Sequence, residues 1–280
     1  MVTVALALGA AVGWGISDFL GGRKSRTAPL LSVLLISQGT ALVAVAVLVV
    51  VRGNGLLSGG QLLWGVAAGA GEAIAIAALY RGLSVGTMSI VAPVAATAPV
   101  VPVVAGLVAG QPLGLSQGLG LGLAVVGLVI TSMQPRTGSV SVGPSIAYGL
   151  LAAVGFGTFF LALDRASEHA VAPALLTAKL TSVAIIAALV LGWAARGERF
   201  GIRRTDLPLI VGIGLLLVTA DASYATATTH GLAGIAAVVG SLHTVVTMTL
   251  ARLWLHERLA RIQQIGIVTS LSGVLVLAAS

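Results

Sequence analysis

Apolar residues run in long stretches along this chain, parted by short breaks that carry charge, glycine or proline. A helix needs about 20 apolar residues to cross the hydrocarbon of a bilayer. Ten stretches approach or exceed that length: 3–21, 28–51, 61–80, 86–109, 114–133, 143–163, 172–195, 207–229, 232–254 and 262–279. The pattern predicts an all-α integral membrane protein with ten transmembrane helices. Barrel strands are about ten residues long and alternate between an apolar and a polar side, which these runs do not. The breaks leave no room for a soluble domain.

Composition sharpens this picture. Of 280 residues, 58% are hydrophobic and 8% charged, against roughly 25% charged in soluble domains. So few charges cannot solvate a globule, which excludes an ordinary cytosolic enzyme and a disordered chain. The net charge of +7 (15 Lys and Arg against 8 Asp and Glu) reads as topology control at a bilayer rather than as a nucleic-acid surface. The absence of cysteine removes disulfides, thiolate metal sites and thiol nucleophiles.

With ten spans, the face bearing both termini receives Arg52 and Arg165. The other receives Arg23, Lys24, Arg26, Arg81, Arg136, Arg196, Arg199, Arg203, Arg204, Arg252, Arg258 and Arg261. The positive-inside rule then places both termini outside. The first span lacks a basic leading region and a clear cleavage site, and is expected to be retained as an anchor. Trp64, Trp193 and Trp254 sit near span ends, where an aromatic belt is expected; Trp14 lies well inside the first span.

The sequence also repeats itself. Gly13-Trp14-Gly15 corresponds to Gly155-Phe156-Gly157 at an offset of 142, and Ala28-Pro29 to Ala172-Pro173 at 144. Arg52-Gly53 corresponds to Arg196-Gly197 at 144, Glu72 and Gly82 to Asp221 and Gly231 at 149. Gln111-Pro112-Leu113 corresponds to Glu257-Arg258-Leu259, Gln117 and Gly120 to Gln263 and Gly266, and Gly127 to Gly273, all at 146. The repeats span 1–136 and 137–280, with five helices each. Because five is odd, the second repeat starts on the opposite face and the halves are inverted. Such pairs place a substrate site near the midplane and give alternating access by rocking.

The tandem five-span repeat, Trp14-Gly15 in the first span and His256-Glu257-Arg258-Leu259 followed by Gln263 and Gly266 in the last resemble the EamA branch of the drug/metabolite transporter superfamily. In the closing motif His256 stands where the family has glycine. Gly110-Gln111-Pro112-Leu113 keeps the glycine but lacks the acid. The resemblance implies a ten-helix plasma-membrane carrier of small organic solutes, commonly an exporter of amino acids, other metabolites or drugs. It also implies cytoplasmic termini, against the charge count.

Ionisable groups inside a membrane cost about 2.5–3.5 kcal/mol each and usually face a cavity or a partner. Asp18, Glu72, Lys179, Asp221 and His243 are such groups. Glu72 and Asp221 occupy equivalent places in the repeats, so pseudo-symmetry brings both toward a central cavity. A carboxyl in low dielectric can exchange a proton near neutral pH. The two acids are therefore candidates for a coupling proton or the cationic part of a substrate; the alternative is a buried pair with Lys179 or Arg81 that holds the bundle. Lys179 is expected to neutralise an acid rather than to bind a carboxylate.

Trp14 and Asp18 lie one turn apart on one helix face. They could wall a cavity, although a salt bridge from Asp18 to Arg23 or Lys24 is the favoured reading. His243, with Ser241, Thr244 and Thr247, makes one side of the ninth span polar, for substrate or for interhelical bonds worth about 0.6 kcal/mol each. Tyr80 and Tyr224 are further cavity candidates and, with Trp14 and the acids, hint at a partly aromatic or cationic solute. Pro93, Pro99 and Pro102 predict a bent fourth helix beside the pathway. The glycines of the fifth and tenth spans, among them Gly118, Gly120, Gly122, Gly127, Gly266 and Gly273, suit close helix approach, either between the repeats or in a homodimer seam.

No nucleotide loop, metal cluster or cofactor site is expected. Ser241 and His243 are two apart and point apart, which speaks against an intramembrane enzyme. A passive channel would need a ring of carbonyls or charges, and inverted repeats favour a carrier. The expected function is a secondary transporter that exports small metabolites, driven by a gradient.

Overall fold

The computed structural model describes residues 1–25, 27–85, 94–95, 97–110, 112–132, 142–196, 201–255 and 261–279. Among these residues it is all-helical. The α-helices are α1 (Val2–Ser25), α2 (Leu30–Arg52), α3 (Gly59–Val85), α4 (Val100–Val108), α5 (Leu115–Ser132), α6 (Val142–Ser167), α7 (Val171–Ala194), α8 (Leu207–Thr229), α9 (Ala233–Gly240), α10 (His243–Leu255) and α11 (Arg261–Ala279). A 3₁₀ turn, Arg204–Asp206, leads into α8. Among the described residues six segments are long and apolar enough to cross a membrane: Val2–Ser25, Leu30–Arg52, Gly59–Leu79, Ile146–Ser167, Val171–Ala194 and Arg204–Thr229.

Local sequence sets the helix ends. Pro29 precedes α2, and Gly53 closes it in the left-handed conformation (φ 63°) with its N–H on the carbonyls of Val49 and Val50, a backbone state glycine adopts without penalty. Pro208 sits in the first turn of α8, where a backbone N–H has no helical acceptor.

Two of the sequence-predicted spans are not continuous helices. In the ninth, α9 ends at Gly240 and α10 begins at His243 after a turn at Ser241 and Leu242. In the fourth, a turn over 97–99 precedes α4. Pro99 stands at the cap of α4 and Pro102 in its first turn, where the missing N–H costs nothing. These prolines therefore start a new helix rather than bend a continuous one; Pro93 lies outside the described residues. The two breaks fall at equivalent places in the repeats, which periodicity alone did not reveal.

The packing is paired across the halves. Helix α1 packs on α8 where Gly13 meets Ala220, and α3 packs on α6 where Gly71 meets the backbone of Gly155. A Cβ on Gly15 would overlap Val246 of α10, and one on Gly157 would overlap Val101 of α4. Gly127 lies against Ser270, and Gly273 against Ala124. Each contact thus recurs with the halves exchanged. The α5–α11 pair is an interface within the chain, so most of the glycines predicted for close approach serve it; Gly118 and Gly122 face open space instead.

Polar links tie helix ends at both faces. Lys24 at the end of α1 pairs with Asp206 before α8 at 2.6 Å. Gln61 near the start of α3 bonds His169 just after α6. The first of these faces carries Arg23, Lys24, Arg196, Arg203 and Arg204 and is called the basic face below.

Candidate functional site

A cavity enters from the basic face between α1, α2, α3, α6 and α8, with His243 of α10 in its wall. Ser25 and Gly21 of α1, Val33 and Leu34 of α2 and Leu79 of α3 line its outer part. Trp14, Gln38, Glu72 and Asp221 line its inner end. At 1.5 Å per residue, Ser25 to Trp14 corresponds to a depth of about 16 Å, half the hydrocarbon thickness. About 780 Å³ of non-atom space lies along it, the solvent at its open mouth included.

Beyond Trp14 the chain closes. Val4, Ala7, Ala10 and Ala11 of α1 belong to a buried core with Leu163, Tyr224 and residues 236–239, the last four fully inaccessible. Alanine at these positions lets backbones approach closely, which is how helices pack in lipid without a hydrophobic driving force.

At the inner end, three helices converge their charges. Lys179 of α7 reaches Glu72 Oε1 at 2.5 Å and Asp221 Oδ2 at 2.7 Å. It also donates to Gln38 Oε1 of α2 at 2.9 Å, while Gln38 Nε2 donates to Glu72 Oε1 at 2.9 Å. The indole N–H of Trp14 donates to Asp221 Oδ1 at 2.8 Å. All three ionisable side chains are buried. An ammonium has three N–H bonds, and the Lys179 ammonium faces three oxygens. Glu72 Oε2 and Asp221 Oδ2 are left buried with no hydrogen-bond partner among the described residues, the second with the ammonium beside it as an ion pair. The sequence pairs the two acids by symmetry but not the cation. Its counterparts at offsets of 142–144 are Ser37, Ile36 and Leu35.

Asp18 is paired, but with His243 Nδ1 at 2.8 Å rather than with the neighbouring Arg23 or Lys24; Lys24 is engaged with Asp206. His243 is held where α10 starts, and Thr247 one turn later donates to the carbonyl of Gly15 at 3.0 Å. That bond needs the close approach which Gly15 permits. The Asp18–His243 pair is partly exposed in the cavity wall.

The aromatic expectation needs a correction. Tyr224 does not line the cavity: it is fully buried behind Trp14, with ring centroids 5.5 Å apart, and its hydroxyl donates to the carbonyl of Phe160 at 3.2 Å. The Tyr80 side chain lies outside the described residues. The rings in the wall are Trp14, Phe156, Phe159 and Phe160, of which sequence reading singled out Trp14 alone. It also passed over Gln38, although a lone amide in an apolar 23-residue helix is a usable signal. Among the described residues, no group of His, Asp and Glu could hold a metal.

Helices long enough to span a bilayer, packing with exchanged halves and a central half-channel define a multi-pass membrane transporter. The EamA-like transporter family is matched twice along the chain, over residues 1–133 and 143–279, and the protein belongs to it. The fold is also that of a crystal structure described only as that of a protein. It has a TM-score of 0.81 and 14% identity over 99% of this chain and 96% of the other. Among curated proteins no sequence match is found.

Proposed function

We propose that the protein is a secondary transporter of the plasma membrane that exports small metabolites by alternating access. In this reading ten spans form two inverted five-helix repeats, 1–136 and 137–280. The supporting observation is a cavity walled by both halves, open toward the basic face and blocked beyond Trp14. By the positive-inside rule that face is cytoplasmic, so this conformation admits solute from inside the cell. Rocking the halves about the Lys179 cluster would close the mouth and open the packed side.

Energy enters through the buried acids. Two carboxylates facing one ammonium leave the cluster short of one positive charge. A proton at Glu72 or Asp221 supplies it, and exchanging that proton for solute couples transport to the gradient. The test is counterflow in proteoliposomes. Saturable exchange of labelled solute for unlabelled, stimulated by a pH gradient, is expected. Flux that rises linearly with concentration and shows no exchange would mean a pore.

A further inference from the structure

The cavity's chemistry restricts what it can carry. We infer that its solute is a small ammonium-bearing compound with an apolar or aryl body and no carboxylate, whose N–H donates to Glu72 Oε2. This rests on the transporter reading and names the substrate class for the same site.

The argument begins with donors and acceptors. The Lys179 ammonium donates to Gln38 Oε1 and Glu72 Oε1 and lies 2.7 Å from Asp221 Oδ2 as an ion pair, and Asp221 Oδ1 takes the Trp14 indole. Two carboxylate oxygens remain without a hydrogen bond among the described residues: Asp221 Oδ2, which has the ammonium beside it, and Glu72 Oε2, in a residue only 4% exposed on the cavity wall. A buried carboxylate oxygen without a donor carries the desolvation cost of a charged group. A solute N–H removes that cost, and a positive one also balances the second carboxylate.

Charge on the rest of the wall points the same way. The ionisable residues lining the cavity are Asp18, Glu72, Asp221 and His243, with no Lys or Arg among the described lining. At the inner end, Lys179 is 1% exposed and already surrounded. Along the described lining a solute carboxylate would therefore meet three acids and no Lys or Arg, which disfavours amino acids. The remaining wall is largely aliphatic and aromatic, and its rings, Phe156, Phe159 and Phe160, suit an aryl body. Asp18 at the outer part gives an entering ammonium its first carboxylate.

The test is calorimetric titration of the purified protein with five matched probes: phenethylamine, its trimethylammonium analogue, phenethyl alcohol, phenylalanine and hydrocinnamate. Phenethylamine should bind tightest, by about tenfold or more over each of the others, the gain expected of one hydrogen bond between charged groups. Glu72→Gln should remove that preference, while the alcohol's weak binding stays. Equal or tighter binding of phenylalanine or hydrocinnamate would overturn the proposal. So would equal binding of the trimethylated probe, or no amine binding at millimolar concentration. If Glu72→Gln does not yield monodisperse protein, the probe series on the unaltered chain decides alone. Counterflow of the same compounds separates the two readings. Exchange of phenylalanine but not of the amine keeps the carrier and sinks the amine site; amine binding with no exchange of any probe does the reverse.

Discussion

Gly15 and Gly157 occupy equivalent positions in the two halves, and each lies beneath a valine of the opposite half, Val246 over the first and Val101 over the second. The valines are themselves one repeat apart. The first spans of the repeats therefore carry the same small residue for the same reason, a close crossing with a broken helix from the other repeat. Gly15→Ala and Gly157→Ala should each destabilise the protein by about 1–3 kcal/mol, because the added methyl meets Cβ and backbone atoms that cannot rotate away. Thermal unfolding in detergent measures this. Gly118→Ala and Gly122→Ala, with open space around them, should leave the melting temperature unchanged. A similar loss at the outward-facing pair would mean that the first effect is not steric.

The Lys179 cluster makes a charge prediction. Lys179→Met leaves two carboxylates buried without a cation, and breaking a buried ion pair from one side typically costs about 3–5 kcal/mol. Poor expression and aggregation by size-exclusion chromatography are expected. Replacing the whole set, Lys179→Met with Glu72→Gln and Asp221→Asn, should restore a monodisperse protein, since an apolar or neutral substitute for a complete ion cluster is often tolerated. The restored protein should be inactive in proteoliposome exchange. Recovery of transport along with folding would show that the charges serve only the bundle.

Much of this arrangement was legible in the sequence because lipid imposes it. Apolar runs of bilayer length mark helices, and glycines one repeat apart, such as Gly15 and Gly157, mark contacts that recur with the halves exchanged. Glu72, Asp221, Lys179, Asp18 and His243 stood out because ionisable groups are costly in hydrocarbon. The pairing of Lys179 with these acids was also legible, since a cation in hydrocarbon needs a counter-charge. Other partners were less so: Trp14 joins Asp221 across 207 positions and His243 joins Asp18 across 225, and no local period encodes such pairings. The helix breaks at Ser241–Leu242 and before Val100 were hidden in the same way. Valine, alanine and glycine continue the apolar pattern whether or not the backbone stays helical. Tyr224 was misplaced because an aromatic residue with a hydroxyl reads equally as a cavity wall or a satisfied core group; the carbonyl of Phe160 decides for the core.

Trp14 serves the cluster as a donor as well as a wall. Trp14→Phe keeps a ring but leaves Asp221 Oδ1 without its indole N–H. A loss of about 1–3 kcal/mol is expected from the unsatisfied buried oxygen, read as a lower melting temperature. Trp14→Phe combined with Asp221→Asn should cost less than the sum of the two single changes, since both remove the same bond. Additive losses would place the contribution of Trp14 in its packing on Phe160 and Tyr224 instead.

The direction in which the cavity opens can be read chemically, because the chain has no cysteine and any introduced thiol is unique. Ser25→Cys sits near the mouth on the basic face, and Ser37→Cys deeper along the α2 wall. Ala10→Cys and Ala237→Cys lie in the closed half, where both native residues are fully inaccessible. In inside-out vesicles a small membrane-impermeant maleimide should label Ser25→Cys rapidly and Ser37→Cys more slowly, and leave the closed-half positions unlabelled. In right-side-out vesicles all four should resist while the protein rests in this conformation. A transported solute that rocks the halves should raise labelling of the closed-half positions from outside and lower labelling of Ser37→Cys from inside. Labelling of Ser25→Cys from the outside alone would reverse the assignment of faces. Labelling of Ser37→Cys and Ala237→Cys together, from one side and without solute, would describe a continuous pore rather than a carrier.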